Sequence, residues 1–269
     1  MSAKQVIQVP RSGGSKINGA VIENTISVLS PLVLLLLWEI LARIGFIDTR
    51  FFPAPSSIFT SLIAMTVSGE LLSNTWISLQ RLFWGFLFGA IPALILGVSM
   101  GLSRLTRAIV DPLIIATYPV PKSSILPLAL LIFGLGEASK IFMVAIGVFY
   151  PVAINAMAGV LEINKIYLDV GKNFKANRWQ TFRRIAIPGA LPMIMTGLRL
   201  GVGLGLVLIA IAEMVGAKSG LGYMIWNAWE TFAVEQMYVG LFAIAIIGFL
   251  LTVLLNGVER LLIPWRPGT

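Results

Sequence analysis

What most restricts this chain is the recurrence of long apolar runs, each near the length a helix needs to cross a bilayer, with the charges gathered between them. A helix rises about 1.5 Å per residue, so about 20 apolar residues cross a hydrocarbon core. Six such runs can be read, at 26–44, 76–101, 111–133, 141–160, 193–211 and 238–258. Of the 269 residues 57% are hydrophobic and 12% charged, about half the charged share of a soluble domain. The chain therefore reads as an all-α integral membrane protein with six transmembrane helices. Residues 1–25 form a polar lead, 26–258 the membrane domain and 259–269 a short tail.

The net charge of +8 does not point to nucleic acid, because much of the excess falls in loops between apolar spans, as membrane topology demands. Lys and Arg placed on the side of the lead and tail outnumber those opposite, where Arg50, Lys140 and Lys218 fall. An even number of spans then puts both termini in the cytoplasm. The sequence has neither Cys nor His, which removes the usual ligands of zinc, haem and iron–sulfur clusters. The first run is too long for the apolar core of a signal peptide and reads as an uncleaved span. Glu39 near its end should face protein rather than acyl chains. The segment 45–73 is too short for a folded domain; Ser56 or Ser57 can cap a short interfacial helix there.

The spans read as a bundle. Gly85, Gly89, Gly97 and Gly101, and later Gly197, Gly201 and Gly205, recur at the four-residue spacing that lets helices approach closely. The third span carries Pro112, Pro119, Pro121 and Pro127, so it is expected to be kinked and to line a cavity.

The loop at 161–192 is the long cationic passage. It holds Lys165, Lys172, Lys175, Arg178, Arg183 and Arg184 against Asp169 between residues 165 and 192. Tyr167, Val170, Gly171 and Phe174 follow helical spacing, and a second short helix fits 178–186, ended by Pro188 and Gly189. Charge alone would serve topology. An apolar stripe facing water additionally asks for a partner.

Candidates for an anion pathway are Arg81, Lys122 and Arg199, with Glu213 nearby in the outer half. Lys122 either meets an anionic ligand or pairs with Glu39, Asp111 or Glu213; Arg199 either snorkels to the cytoplasm or lines the pathway. The run from Gly216 to Gly222 fails the phosphate-loop pattern, since Ala217 precedes Lys218, and reads as a flexible outer loop. A secondary transporter or channel would be the alternative to a partner-driven carrier, but no internal repeat is visible. A membrane-embedded enzyme lacks an acid–base pair or metal set.

Asp169-Val170-Gly171, Lys175 and Ile185-Ala186-Ile187-Pro188 resemble the "EAA" loop of permease subunits in type I ABC importers, patterned Glu-Ala-Ala, three residues, Gly, and later Ile-x-Leu-Pro. Lys175 stands where that family has Gly. FFPAPSSI, SGELLSNTWISLQRLFWGF, PVPKSSILPLALLIFGLGEASKIF and AEMVGAKSGLGYMI resemble the sulfonate, taurine and nitrate branch. The resemblance implies a multi-pass protein of the bacterial inner membrane, built as a homodimer. Its loop seats Asp169, Val170, Gly171, Phe174, Lys175, Ile185, Ile187 and Pro188 on an ABC ATPase subunit, and that subunit, not this chain, binds ATP and magnesium. A periplasmic or lipid-anchored binding protein delivers a small organic anion, with nitrate or a thiamine-precursor-like compound as alternatives.

Overall fold

The computed structural model describes residues 16–264, so the polar lead up to residue 15 and Arg266 in the tail lie outside the described residues. The chain divides into two compact units, one up to Ser57 and one from Ile58 onward. Among the described residues every regular element is a helix. The first unit contains α1 (Lys16–Arg43) and the start of α2 (Pro55–Val67). Most large apolar side chains of α1 from Leu32 to Leu37 are exposed, as suits a helix bathed in lipid. Its Glu39 carboxylate accepts from Arg43 Nε and from the Ser56 N–H and Oγ. The first turn of α2 is thus capped by Glu39, not by the expected Ser56 or Ser57 side chain.

The second unit is built on α3 (Glu70–Leu102), α6 (Glu137–Leu161) and α9 (Ile187–Met214), with α11 (Val234–Leu262) alongside. Among the described residues five helices are long and apolar enough to cross a membrane: Thr25–Arg43, Glu70–Leu102, Glu137–Leu161, Trp179–Met214 and Val234–Leu262. The candidate for a sixth span is α4 (Arg104–Thr117) taken together with α5 (Leu126–Phe133), bent by 90° at their break. Pro119 and Pro121 lie at that break, and neither has a backbone N–H to continue the helical ladder. The expected kink is therefore a full corner, bridged by a 3₁₀ turn at Lys122–Ile125.

α6 lies in the middle, and Met143, Val144, Val148, Val152, Ala153 and Ala156 are fully buried on it. The glycine stripes set how closely its neighbours approach. On α3, a methyl at Gly89 or Gly97 would overlap the carbonyl oxygen of Ala145 or Ala153. On α9, one at Gly197 would lie 2.8 Å from Asn155 Cβ. Backbone cannot yield as a side-chain tip can, so substitution there separates whole helices.

Gly97→Val is accordingly expected to lower stability by about 1–3 kcal/mol, read as a fall in the melting temperature of the detergent-solubilised protein. Gly257→Ala on α11, where an added Cβ meets nothing within 4 Å, should leave it unchanged.

Candidate functional site

The cationic loop folds into α7 (Lys165–Asn173) and α8 (Arg178–Thr181). Asn164 caps α7 by accepting from the Ile166 N–H at 3.0 Å. Asn177 and Gln180 form a reciprocal capping box, 2.8 and 2.9 Å, at the start of α8. That Asn-x-x-Gln spacing is legible in the sequence and marks the helix start. The expected stop at Pro188 does not occur. The chain runs on from α8 through a π-turn, Phe182–Ala186, directly into α9. Pro188 has no N–H and its ring would crowd the carbonyl four residues back. The π-turn, in which Ile187 N–H reaches Phe182 O, widens the ladder at that place.

α7 and the π-turn enclose an open groove of about 910 Å³, lined by Tyr167, Val170, Gly171 and Phe174 on one wall and Ile185 and Pro188 on the other. Tyr167, Val170 and Phe174 are exposed, Phe174 to 84%. Gly171 is tight against Ile185: an added Cβ would lie 2.6 Å from Ile185 Cδ1. Asp169 is exposed and pairs with Lys172 at 3.2 Å, and Ile187 is half-buried behind the groove.

Lys175 ends α7 in a left-handed conformation, φ 53°. Ala176 N–H bonds Gly171 O and Lys175 N–H bonds Lys172 O, each at 2.9 Å, the paired bonds of a Schellman ending. The turn that glycine would make is therefore kept, with a side chain on it. A left-handed residue bearing a Cβ costs about 1–2 kcal/mol.

At the other end of the bundle stands a buried ion cluster. All five guanidinium N–H donors of Arg81 face acceptors: Glu137, Glu213, the Ser219 carbonyl at 2.7 Å and the Ser219 hydroxyl. Glu213 also accepts from Ser78 Oγ at 2.8 Å and the Gly222 N–H at 2.9 Å. Asn74 and Ser78 take the N–H groups of Gly220 and Leu221. The Gly216–Gly222 run, expected to be a flexible loop, is thus held at four successive residues. It feeds the N-terminus of α10 (Leu221–Glu230), where the Glu213 carboxylate also suits the helix dipole. Gly220 is required twice over: its φ is +110°, and a Cβ would overlap the Glu213 carboxylate. Arg81 and Glu213 are 3% and 1% exposed, so removing either leaves a bare buried charge, at a cost of about 3–5 kcal/mol. Two carboxylates also pair with the Arg81 charge, so it offers a passing anion no uncompensated charge.

The remaining cations also have places. Arg199, whose side chain is 32% exposed, bonds Asn256 at 2.9 Å and Glu259 at 2.6 Å on α11. Lys122 pairs with none of the three acids considered for it. Its ammonium donates to the carbonyls of Thr117, Tyr118 and Val120 at 2.8–3.0 Å. Lys140, counted above as a loop charge, is 1% exposed and donates to the carbonyls of Leu135, Gly136 and Gly216.

A helical bundle with a glycine-packed centre and apolar spans, carrying an amphipathic loop, has the architecture of a polytopic membrane protein. Residues 85–266 match the family described as binding-protein-dependent transport system inner membrane component. The chain is 35% identical over 247 residues to the taurine transport system permease protein TauC of Escherichia coli, covering 90% of each chain. It is 32% identical over 239 residues to the putative aliphatic sulfonates transport permease protein SsuC of Bacillus subtilis, covering 89% of this chain and 87% of that one. A chain from inward-facing structures of the MetNI methionine ABC transporter superposes with TM-score 0.57 at 21% identity, over 70% of this chain and 93% of that one, a likeness of fold. The chain belongs to the family of binding-protein-dependent transport system inner membrane components, the multi-pass permease subunits of ABC importers.

Lys175→Gly is expected to stabilise the end of α7 by about 1 kcal/mol. Hydrogen exchange at the Lys175 and Ala176 amides should then slow about fivefold.

Proposed function

We propose that this chain carries small aliphatic sulfonates, taurine-like ones among them, as the membrane-spanning subunit of an ATP-driven importer, with two copies forming one pathway. The supporting observation is the identity of 35% and 32%, across 90% and 89% of the chain, to permeases named for taurine and aliphatic sulfonates. A separate ATPase binds ATP and magnesium and carries out the hydrolysis. A periplasmic or lipid-anchored binding protein delivers the substrate. Both termini and the cationic loop lie in the cytoplasm, on the positive-inside rule. The membrane domain is 26–258, with the coupling loop at 161–192.

The ATPase seats in the groove between α7 and the π-turn. Val170, Gly171, Phe174, Ile185 and Pro188 meet it there, Asp169 and Lys175 flank it, and Ile187 passes the contact on to the span. The unbroken helical run from Arg178 to Met214 makes this coupling direct. When the ATPase pair closes on ATP, force on the groove reaches α9 without a hinge of loop residues. At about 1.5 Å per residue α9 runs about 42 Å, and its far end carries Glu213 of the ion cluster. Arg199, bonded to Glu259, ties the same lever to α11. Motion at the loop is thus delivered to the end where the binding protein docks.

The groove reading is tested by Gly171→Arg, whose side chain would enter the space held by Ile185. Co-purification of the ATPase from detergent is expected to fall at least about tenfold, an interface loss of about 1.4 kcal/mol or more, with membrane insertion unchanged. Retained co-purification would move the seat elsewhere, towards 178–185.

A further inference from the structure

Of the three basic side chains considered for the pathway, Arg81 and Arg199 are each paired with a carboxylate. Lys122 is not: among the described residues no ion pair includes it. Its three N–H donors are met by the backbone carbonyls at the C-terminal end of α4. Carbonyl dipoles hold an ammonium in place without cancelling its charge. The charge therefore stands at the 90° corner of the third span, on a side chain only partly buried.

Two tyrosines shape the place. The ammonium lies 4.1 Å from the Tyr150 ring centroid and 5.8 Å from that of Tyr118, and the Tyr150 hydroxyl donates to Thr117 Oγ1 at 3.0 Å. Tyr150 also closes one end of an apolar groove of about 510 Å³ along α6, walled by Phe88, Phe133, Phe142 and Phe149. A fixed positive point and an aromatic trough thus share one residue. That pairing suits a ligand with an anionic head and a short hydrocarbon body, and it offers an inorganic oxyanion nothing for the trough to hold.

We propose that Lys122, Tyr150 and the adjoining aromatic groove form a substrate contact within the membrane domain, taking the sulfonate head at the Lys122 ammonium and the carbon chain along Phe142 and Phe149. The assignment rests on the reading of the chain as an organosulfonate importer. A sulfonate oxygen replaces one carbonyl at the ammonium, so the lysine exchanges an internal acceptor for the substrate and stays held by the others. Lys122 is then a specificity-determining residue of the permease, acting after the binding protein has released its cargo.

The test uses the permease–ATPase complex in nanodiscs without binding protein, with trifluoroethanesulfonate as probe and fluorine NMR line width as readout. Wild type should broaden the signal, butanesulfonate should compete better than methanesulfonate, and nitrate should not compete. Loss of one charge-assisted contact corresponds to about a tenfold loss of affinity, expected for Lys122→Gln and rescued by Lys122→Arg. A purely structural role would lower the melting temperature of Lys122→Gln without this charge-dependent rescue, and would overturn the assignment. Should Lys122→Gln not assemble, Tyr150→Ala carries the test, since it leaves the carbonyl cage in place. Unchanged binding in that variant overturns the site. ATP-driven sulfonate uptake by wild type with its binding protein, but without broadening in its absence, overturns this site and leaves the importer reading intact. No sulfonate uptake by wild type overturns the importer reading itself.

Discussion

The constraint on which this structure depends is that a backbone interrupted within a bilayer must find its hydrogen bonds inside the protein. The chain interrupts its helices at several points, and at each one a polar or charged side chain, or a change of helical pitch, closes the gap. Lys122 takes the carbonyls freed at the corner between α4 and α5. Lys140 does the same between α5 and α6 and reaches Gly216 across the bundle. Asn74, Ser78 and Glu213 accept the N–H groups that open α10, while Arg81 takes the Ser219 carbonyl just before them. Pro188 is accommodated by the π-turn. Much of the charge within the spans therefore serves the architecture. It can be tolerated there because each donor and acceptor is met.

This explains which parts were legible in the sequence. The spans were, because hydropathy and length are local properties, and so were the glycine stripes, because four-residue spacing puts them on one face. The amphipathic pattern of Tyr167, Val170, Gly171 and Phe174 likewise gave a helix and its apolar side. The loop's resemblance to a permease motif supplied the family, which 85–266 confirms by its match. What hid was everything set by partners far apart in sequence. Arg81 and Glu213 are separated by 132 residues, and nothing near either says that they meet. Read alone, each looks like a pathway charge. Lys140 looked like a loop residue for the same reason, and the Gly216–Gly222 run looked flexible because three of its anchors, Asn74, Ser78 and Arg81, lie far away on α3. Pro188 looked like a helix stop because a π-turn has no sequence signal of its own beyond the proline it accommodates.

Placing these charges also divides the labour along the molecule. One end offers an open, apolar groove, one wall of which, the π-turn, continues without a break into α9. The other is knitted by an ion cluster whose Glu137 is 63% exposed while its partners are buried. The far end of α9 is held in that cluster through the buried Glu213. Lys175 adds a local feature: a strained residue that closes the end of α7 in the left-handed conformation glycine would adopt.

The most direct measurement exploits the absence of cysteine from the sequence. Phe174→Cys places a single thiol on the exposed wall of the groove, to be labelled with a membrane-impermeant maleimide in inside-out and right-side-out vesicles, with and without the ATPase. Labelling only from the cytoplasmic face, and protection once the ATPase binds, is the expected result. Labelling from the opposite face, or labelling that the bound ATPase does not slow, would contradict the coupling role given to this loop.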